Sequence, residues 1–114
     1  MTIDAIRAGL TVEEVELALS GHPAVSECIV FGVPDPIRTE EVAAVVVVRP
    51  KAEVGPASLR SECAETLARW KLPRYIVLRD DPLPRLTNGK VDRVTLMAAL
   101  DVAAAWDAEG MAGT

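Results

Sequence analysis

The sequence predicts an α+β fold, a small three-stranded sheet flanked by helices. Three observations carry this. Residues 25–31 and 41–49 are β-branched runs joined by a loop dense in proline and glycine. The stretches after Thr11 and Ser58 space apolar residues at helical intervals. A third short β-rich run, Tyr75-Ile76-Val77-Leu78, follows Leu72-Pro73. The 114 residues make one domain by length, enough to bury a modest core without staples.

Residues 1–10 suit a short strand or an irregular lead-in. Thr11-Val12-Glu13-Glu14 matches a capping box, in which Thr11 caps a helix and Glu14 reaches back. Val12, Val15 and Leu19 then form an apolar stripe, and Gly21 and Pro23 stop the helix. Residues 25–31 read as a strand and Gly32-Val33-Pro34-Asp35-Pro36 as a loop. The valine run at 42–48 reads as a central strand buried on both faces. The compact loop makes an antiparallel pair with the first strand. Ser58 is the expected cap of a second helix whose apolar face is Leu59, Cys63, Leu67 and Trp70. Leu72-Pro73 ends it, and residues 75–78 form the third strand. Residues 80–89 are loop and turn. Asp92 caps a last helix carrying Leu96 and Leu100. Residues 101–114 are expected to fray.

Half the residues are apolar, a quarter are charged, and the net charge is -5. That balance argues against a general nucleic-acid binder, which needs a basic face to neutralise phosphates. Cys28 and Cys63 belong to no CxxC or Cys/His cluster, and His22 is the only histidine. A zinc site is therefore disfavoured, and the cysteines read as free, buried thiols of a reducing cytoplasm. No segment approaches the ~20 apolar residues of a membrane span, and the first ten residues lack the plan of a signal peptide. A cytoplasmic protein is expected, with no membrane partner.

Among polar residues, Asn88-Gly89-Lys90 stands out. A P-loop requires glycine six positions before the lysine and Ser or Thr after it; here those positions are Pro84 and Val91. Alone, the tripeptide is a turn with a surface lysine, or a turn that aims a lysine at an anion. His22, at a helix exit, reads as structural or surface. Asp80 and Asp81 read as a solvated loop edge rather than an acid/base pair. Glu40 and Glu41, opening the valine strand, mark an edge or interface. No serine sits in a nucleophile elbow. Any chemistry here is one part of a site completed elsewhere.

The longer string Pro84-Arg85-Leu86-Thr87-Asn88-Gly89-Lys90-Val91-Asp92-Arg93 resembles the terminal PxxxxGK(V/I)DR motif of adenylate-forming enzymes: acyl- and aryl-CoA synthetases, adenylation domains of nonribosomal peptide synthetases in natural product biosynthesis, and luciferase. Glu14-Val15-Glu16, His22-Pro23-Ala24-Val25, Phe31-Gly32-Val33-Pro34-Asp35, residues 41–47 and Trp70-Lys71-Leu72-Pro73-Arg74-Tyr75 are similar to further segments of that family, in the same order. The resemblance implies a C-terminal lid domain over residues 1–100. It implies a large N-terminal domain, absent from this chain and supplied in trans or belonging to a longer polypeptide from which this lid is excised, that binds ATP with Mg and the carboxylic acid. The thiol of CoA, or phosphopantetheine on an acyl carrier protein, then takes the acyl group. Lys90 would be the adenylation lysine, in a loop supported by Asn88, Gly89, Asp92 and Arg93. It would also be a target of reversible acetylation. No cofactor is expected to bind this chain alone, which would be inactive. The family's thiol-channel hairpin would fall at residues 4–10, with Gly9 as its only glycine, nearer the helix than is usual. Thr39 replaces a common glycine. The WKLPR segment leans toward a CoA synthetase. A reading of another class is a non-catalytic module that docks a carrier protein or regulates a ligase.

Overall fold

A computed structural model describes residues 12–35, 39–68 and 71–110. The elements are α1 (Val12–Ser20), β1 (Val25–Asp35), β2 (Thr39–Val48), α2 (Pro56–Cys63), β3 (Tyr75–Arg79), α3 (Arg93–Ala99) and β4 (Trp106–Asp107). The sheet runs in the order β1-β2-β3-β4. β1 and β2 are antiparallel, as the short loop requires. β3 lies parallel to β2, and its crossover carries α2. β4 pairs antiparallel with β3.

The valine strand is buried on both faces. Val42, Ala44 and Val46 pack with Val15 and Leu19 of α1 and Leu59 and Cys63 of α2. Val45 and Val47 face the other way, against Ile29, Phe31, Leu83 and Leu96. The period-two alternation of a strand thus feeds two cores at once. α1 and α2 cover one face. The segment around Leu83 and α3 cover the other.

Four expectations are corrected. Among the described residues the sheet has four strands, because Trp106 and Asp107, in the segment expected to fray, add β4. The loop foreseen at residues 32–35 is strand: Val33, Pro34 and Asp35 continue the β1 ladder against Glu41, Glu40 and Thr39. α2 begins before Ser58, with Gly55 at the N-cap and Pro56 in the first turn. Pro56 suits that position because its missing N–H would have no intrahelical partner there. Ser58 instead donates its hydroxyl to the Gly55 carbonyl. Last, α2 ends at Cys63, and Leu67 is buried from the turns that follow. Thr11 and Trp70 lie outside the described residues, as does residue 9 of the expected hairpin.

Candidate functional site

Residues 84–92 form a hairpin. Arg85 pairs with Val91 as an antiparallel bridge. The Asp92 N–H donates to the Pro84 carbonyl at 2.8 Å and the Leu86 N–H to the Lys90 carbonyl at 2.8 Å. The Gly89 N–H closes the turn on the Leu86 carbonyl at 2.9 Å. Gly89 has φ +89°, in the left-handed region where a side chain is disfavoured. Asn88 reinforces the turn, its Oδ1 accepting the Lys90 N–H at 3.0 Å. This is the pattern of a three-residue hairpin loop with glycine at its left-handed position. Lys90 is exposed at its end. Among the described residues its ammonium has no hydrogen-bond or ion-pair partner.

Both roots of the hairpin are tied to β1. On the outgoing side, Glu27 Oε2 accepts the Leu83 N–H at 3.0 Å, and Glu27 Oε1 pairs with the Arg85 guanidinium. On the returning side, Arg93 donates to the Val30 carbonyl at 2.8 Å and lies 3.6 Å from Glu16. Glu16 in turn accepts the Val30 N–H at 2.9 Å. The Arg93 guanidinium also stacks over the Phe31 ring, 5.1 Å from its centroid. Asp92 caps α3 through Thr95: its Oδ1 accepts the backbone N–H at 3.0 Å and its Oδ2 the hydroxyl at 2.7 Å. Those two bonds, the hydroxyl first, hold its carboxyl below the usual carboxylate range.

Each of the residues expected to support the Lys90 loop makes a distinct contact of its own. Asn88 and Gly89 shape the turn, Asp92 starts the next helix, and Arg93 anchors the return. Glu27 and Arg85 were missed as supports. Their signal was present only as a lone acid within an apolar β-run and a basic residue two positions before the turn.

The segment at 71–75 ties a second set of elements together. Lys71 Nζ pairs with Glu14 Oε2 at 2.7 Å, joining the β3 approach to α1. Arg74 reaches the buried Glu41 at 3.9 Å and holds Asp107 of β4. His22 is structural: Nδ1 accepts the Ala24 N–H at 3.0 Å and Nε2 faces Glu62 at 3.0 Å. Both cysteines are free, with Cys63 buried and Cys28 partly so. Burial, with Glu16 second, pushes the Cys28 thiol up to about 12. No cluster of three or more potential metal-binding side chains occurs among the described residues. None of their helices is long and apolar enough to cross a membrane. A groove of 540 Å³ between α1 and α2, lined in part by Leu17, Glu62 and Thr66, includes no hairpin residue.

The family pattern of the AMP-binding enzyme C-terminal domain matches residues 14–90. The sulfoacetate–CoA ligase of Cupriavidus necator is 40% identical over 84 residues, 74% of this chain and 16% of the ligase. Among solved structures, the amide bond synthetase McbA from Marinactinospora thermotolerans superposes with a TM-score of 0.73 at 34% identity, over 78% of this chain and 18% of that one. ATP-bound MatB from Rhodopseudomonas palustris gives 0.71 at 34%, over 76% and 17%. The chain spans about a sixth of the length of the curated relatives it matches. It belongs to the AMP-binding enzyme C-terminal domain family, the small C-terminal domain of acyl-CoA-ligase-like, adenylate-forming enzymes.

Proposed function

We propose that this chain is the lid of an ATP-dependent acid–thiol ligase and that Lys90 serves its adenylation step. In that step a carboxylate attacks the α-phosphate of ATP, forming an acyl-adenylate and releasing pyrophosphate. Both partners are anions. A lysine ammonium between them offsets their repulsion and holds them in line. Lysine suits the task because its compact charge and rotatable donors can touch both groups. In the second step a thiol, of CoA or of phosphopantetheine on a carrier protein, displaces AMP. A large N-terminal domain would bind ATP, Mg and the acid, in trans or in the same polypeptide.

The observation that carries this reading is the exposed ammonium of Lys90, without a partner among the described residues, at the end of a hairpin anchored at both roots. A merely solvated lysine needs no such support. Val94 and Met97, one turn apart on α3 and just past the hairpin, are exposed apolar residues, as is Leu86 within it. Such surface suits contact with a second domain. Relatives named as CoA ligases favour a thiol acceptor.

The test is reconstitution. This chain, added to a large adenylating domain of the same family that lacks its own lid, should restore acid-dependent ATP–pyrophosphate exchange. A K90A chain should not. Binding to the large domain without restored exchange would instead favour the non-catalytic docking reading.

A further inference from the structure

Glu27 and Arg85 are 58 positions apart in sequence, yet they meet at the base of the hairpin. The Glu27 side chain is only 22% exposed. One of its oxygens takes the N–H of Leu83, whose side chain is buried in the core beneath β1 and α3. The other takes the Arg85 guanidinium. Arg85 Nη1 then reaches the Gly89 carbonyl at 3.4 Å, the peptide group that leads into Lys90. A chain of contacts therefore runs from the sheet to the residue before the lysine.

We infer that Glu27 is a positioning residue for Lys90, acting through the Arg85 guanidinium and the Gly89 carbonyl. This rests on the adenylation role proposed above. An exposed ion pair alone would contribute little. Glu27 does more, because it fixes a partly buried backbone donor and a guanidinium at once. The hairpin has one ladder bridge, Arg85 with Val91, and a two-stranded hairpin that small is marginal without tertiary support. Its angle to the sheet is set at its roots. Lysine's long stem adds freedom of its own, so the backbone must supply the aim. Misplacement by about 1 Å costs roughly a hundredfold where two groups must be held in line.

The chemistry predicts a graded response. Glu27→Gln keeps an acceptor for Leu83 but loses the charge that holds Arg85. Glu27→Ala loses both. Glu53→Gln, at an exposed site in the loop before α2, is the control. Hydrogen exchange on the full 114-residue chain reads the hairpin directly. The Leu86 and Gly89 amides should lose about tenfold protection in Glu27→Ala and less in Glu27→Gln. The Val45 amide should hold in both, showing that the fold is intact. With a large domain added, acyl-adenylate formation should fall about tenfold or more in kcat. Thioester formation from a preformed acyl-adenylate should hold.

Unchanged protection at Leu86 and Gly89 overturns the inference, as does equal loss in the two half-reactions. Loosened amides with normal adenylation overturn it too, because Lys90 would then not need the support. If K90A itself adenylates normally, the functional reading fails, and the catalytic half of this inference fails with it. A failure confined to the Glu27 variants, with K90A behaving as expected, rejects this inference alone.

Discussion

Arg74 and Asp107 meet side by side, Nε to Oδ1 at 3.0 Å and Nη2 to Oδ2 at 3.2 Å. The pair fastens β4 to β3, helped by the Ala108 N–H donating to the Arg74 carbonyl at 2.8 Å. The Arg74 hydrogen bond is the first cause holding the Asp107 carboxyl below its ordinary range, and the Glu109 N–H adds to it. The folded-state pKa therefore lies below the unfolded one. The stabilisation is present above the unfolded value, about 4, and is lost as pH falls through the folded value. Asp107→Asn should cost about 1–2 kcal/mol at neutral pH and flatten the acid limb of the stability curve. Chemical denaturation from pH 2 to 7 checks both.

Lys90→Ala should leave stability within about 0.5 kcal/mol, because its exposed ammonium holds no partner among the described residues. Adenylation in the reconstituted pair should fall roughly a hundredfold or more. Thermal melts and pyrophosphate exchange, run on the same samples, separate the two effects.

Gly89→Ala places a Cβ in open space, since nothing lies within 4 Å of it. Its cost is therefore backbone strain alone, about 1–2 kcal/mol at a left-handed φ. Gly89→Asn should cost less, because asparagine tolerates that region. The ordering of the two melts tests this.

Asp92→Ala removes the cap of α3 and both acceptors of Thr95. Amide exchange should accelerate in residues 93–97 first, while Asp92→Ser should recover part of the protection. Uniform acceleration across the sheet would contradict a local capping role.

The Cys28 thiol, with its pKa pushed up to about 12 by burial and then by Glu16, carries little thiolate at ordinary pH. A thiol reagent at pH 8 should modify the native chain slowly, and the chain in denaturant promptly at two sites. Fast labelling of Cys28 in the folded chain would contradict the packed position of its side chain.

What was legible in the sequence was local. The valine run announced a strand with two buried faces, Asn88 and Gly89 announced a turn, and Asp92 announced the cap of α3. Each signal sits within a few residues of what it specifies. β4 left no such signal. Two residues in an alanine-rich stretch cannot set a strand by propensity, and Arg74 supplies the order from 33 positions away. The extension of β1 through Val33, Pro34 and Asp35 was hidden by turn-forming residues, which the β2 ladder overrides. The hairpin's supports were unreadable for the same reason as β4. Glu27 and Arg85 become neighbours only once β1 is in the sheet.

Among the described residues β1 is an outer strand of the sheet, and an outer strand offers its open backbone to any other extended chain. At Val30 that offer is withdrawn. Glu16 occupies the N–H and Arg93 occupies the carbonyl, and the two close over the site with their own ion pair. The arginine that ends the motif therefore also occupies, at Val30, backbone that an added strand would need, at the same place where it ties the returning side of the hairpin to β1.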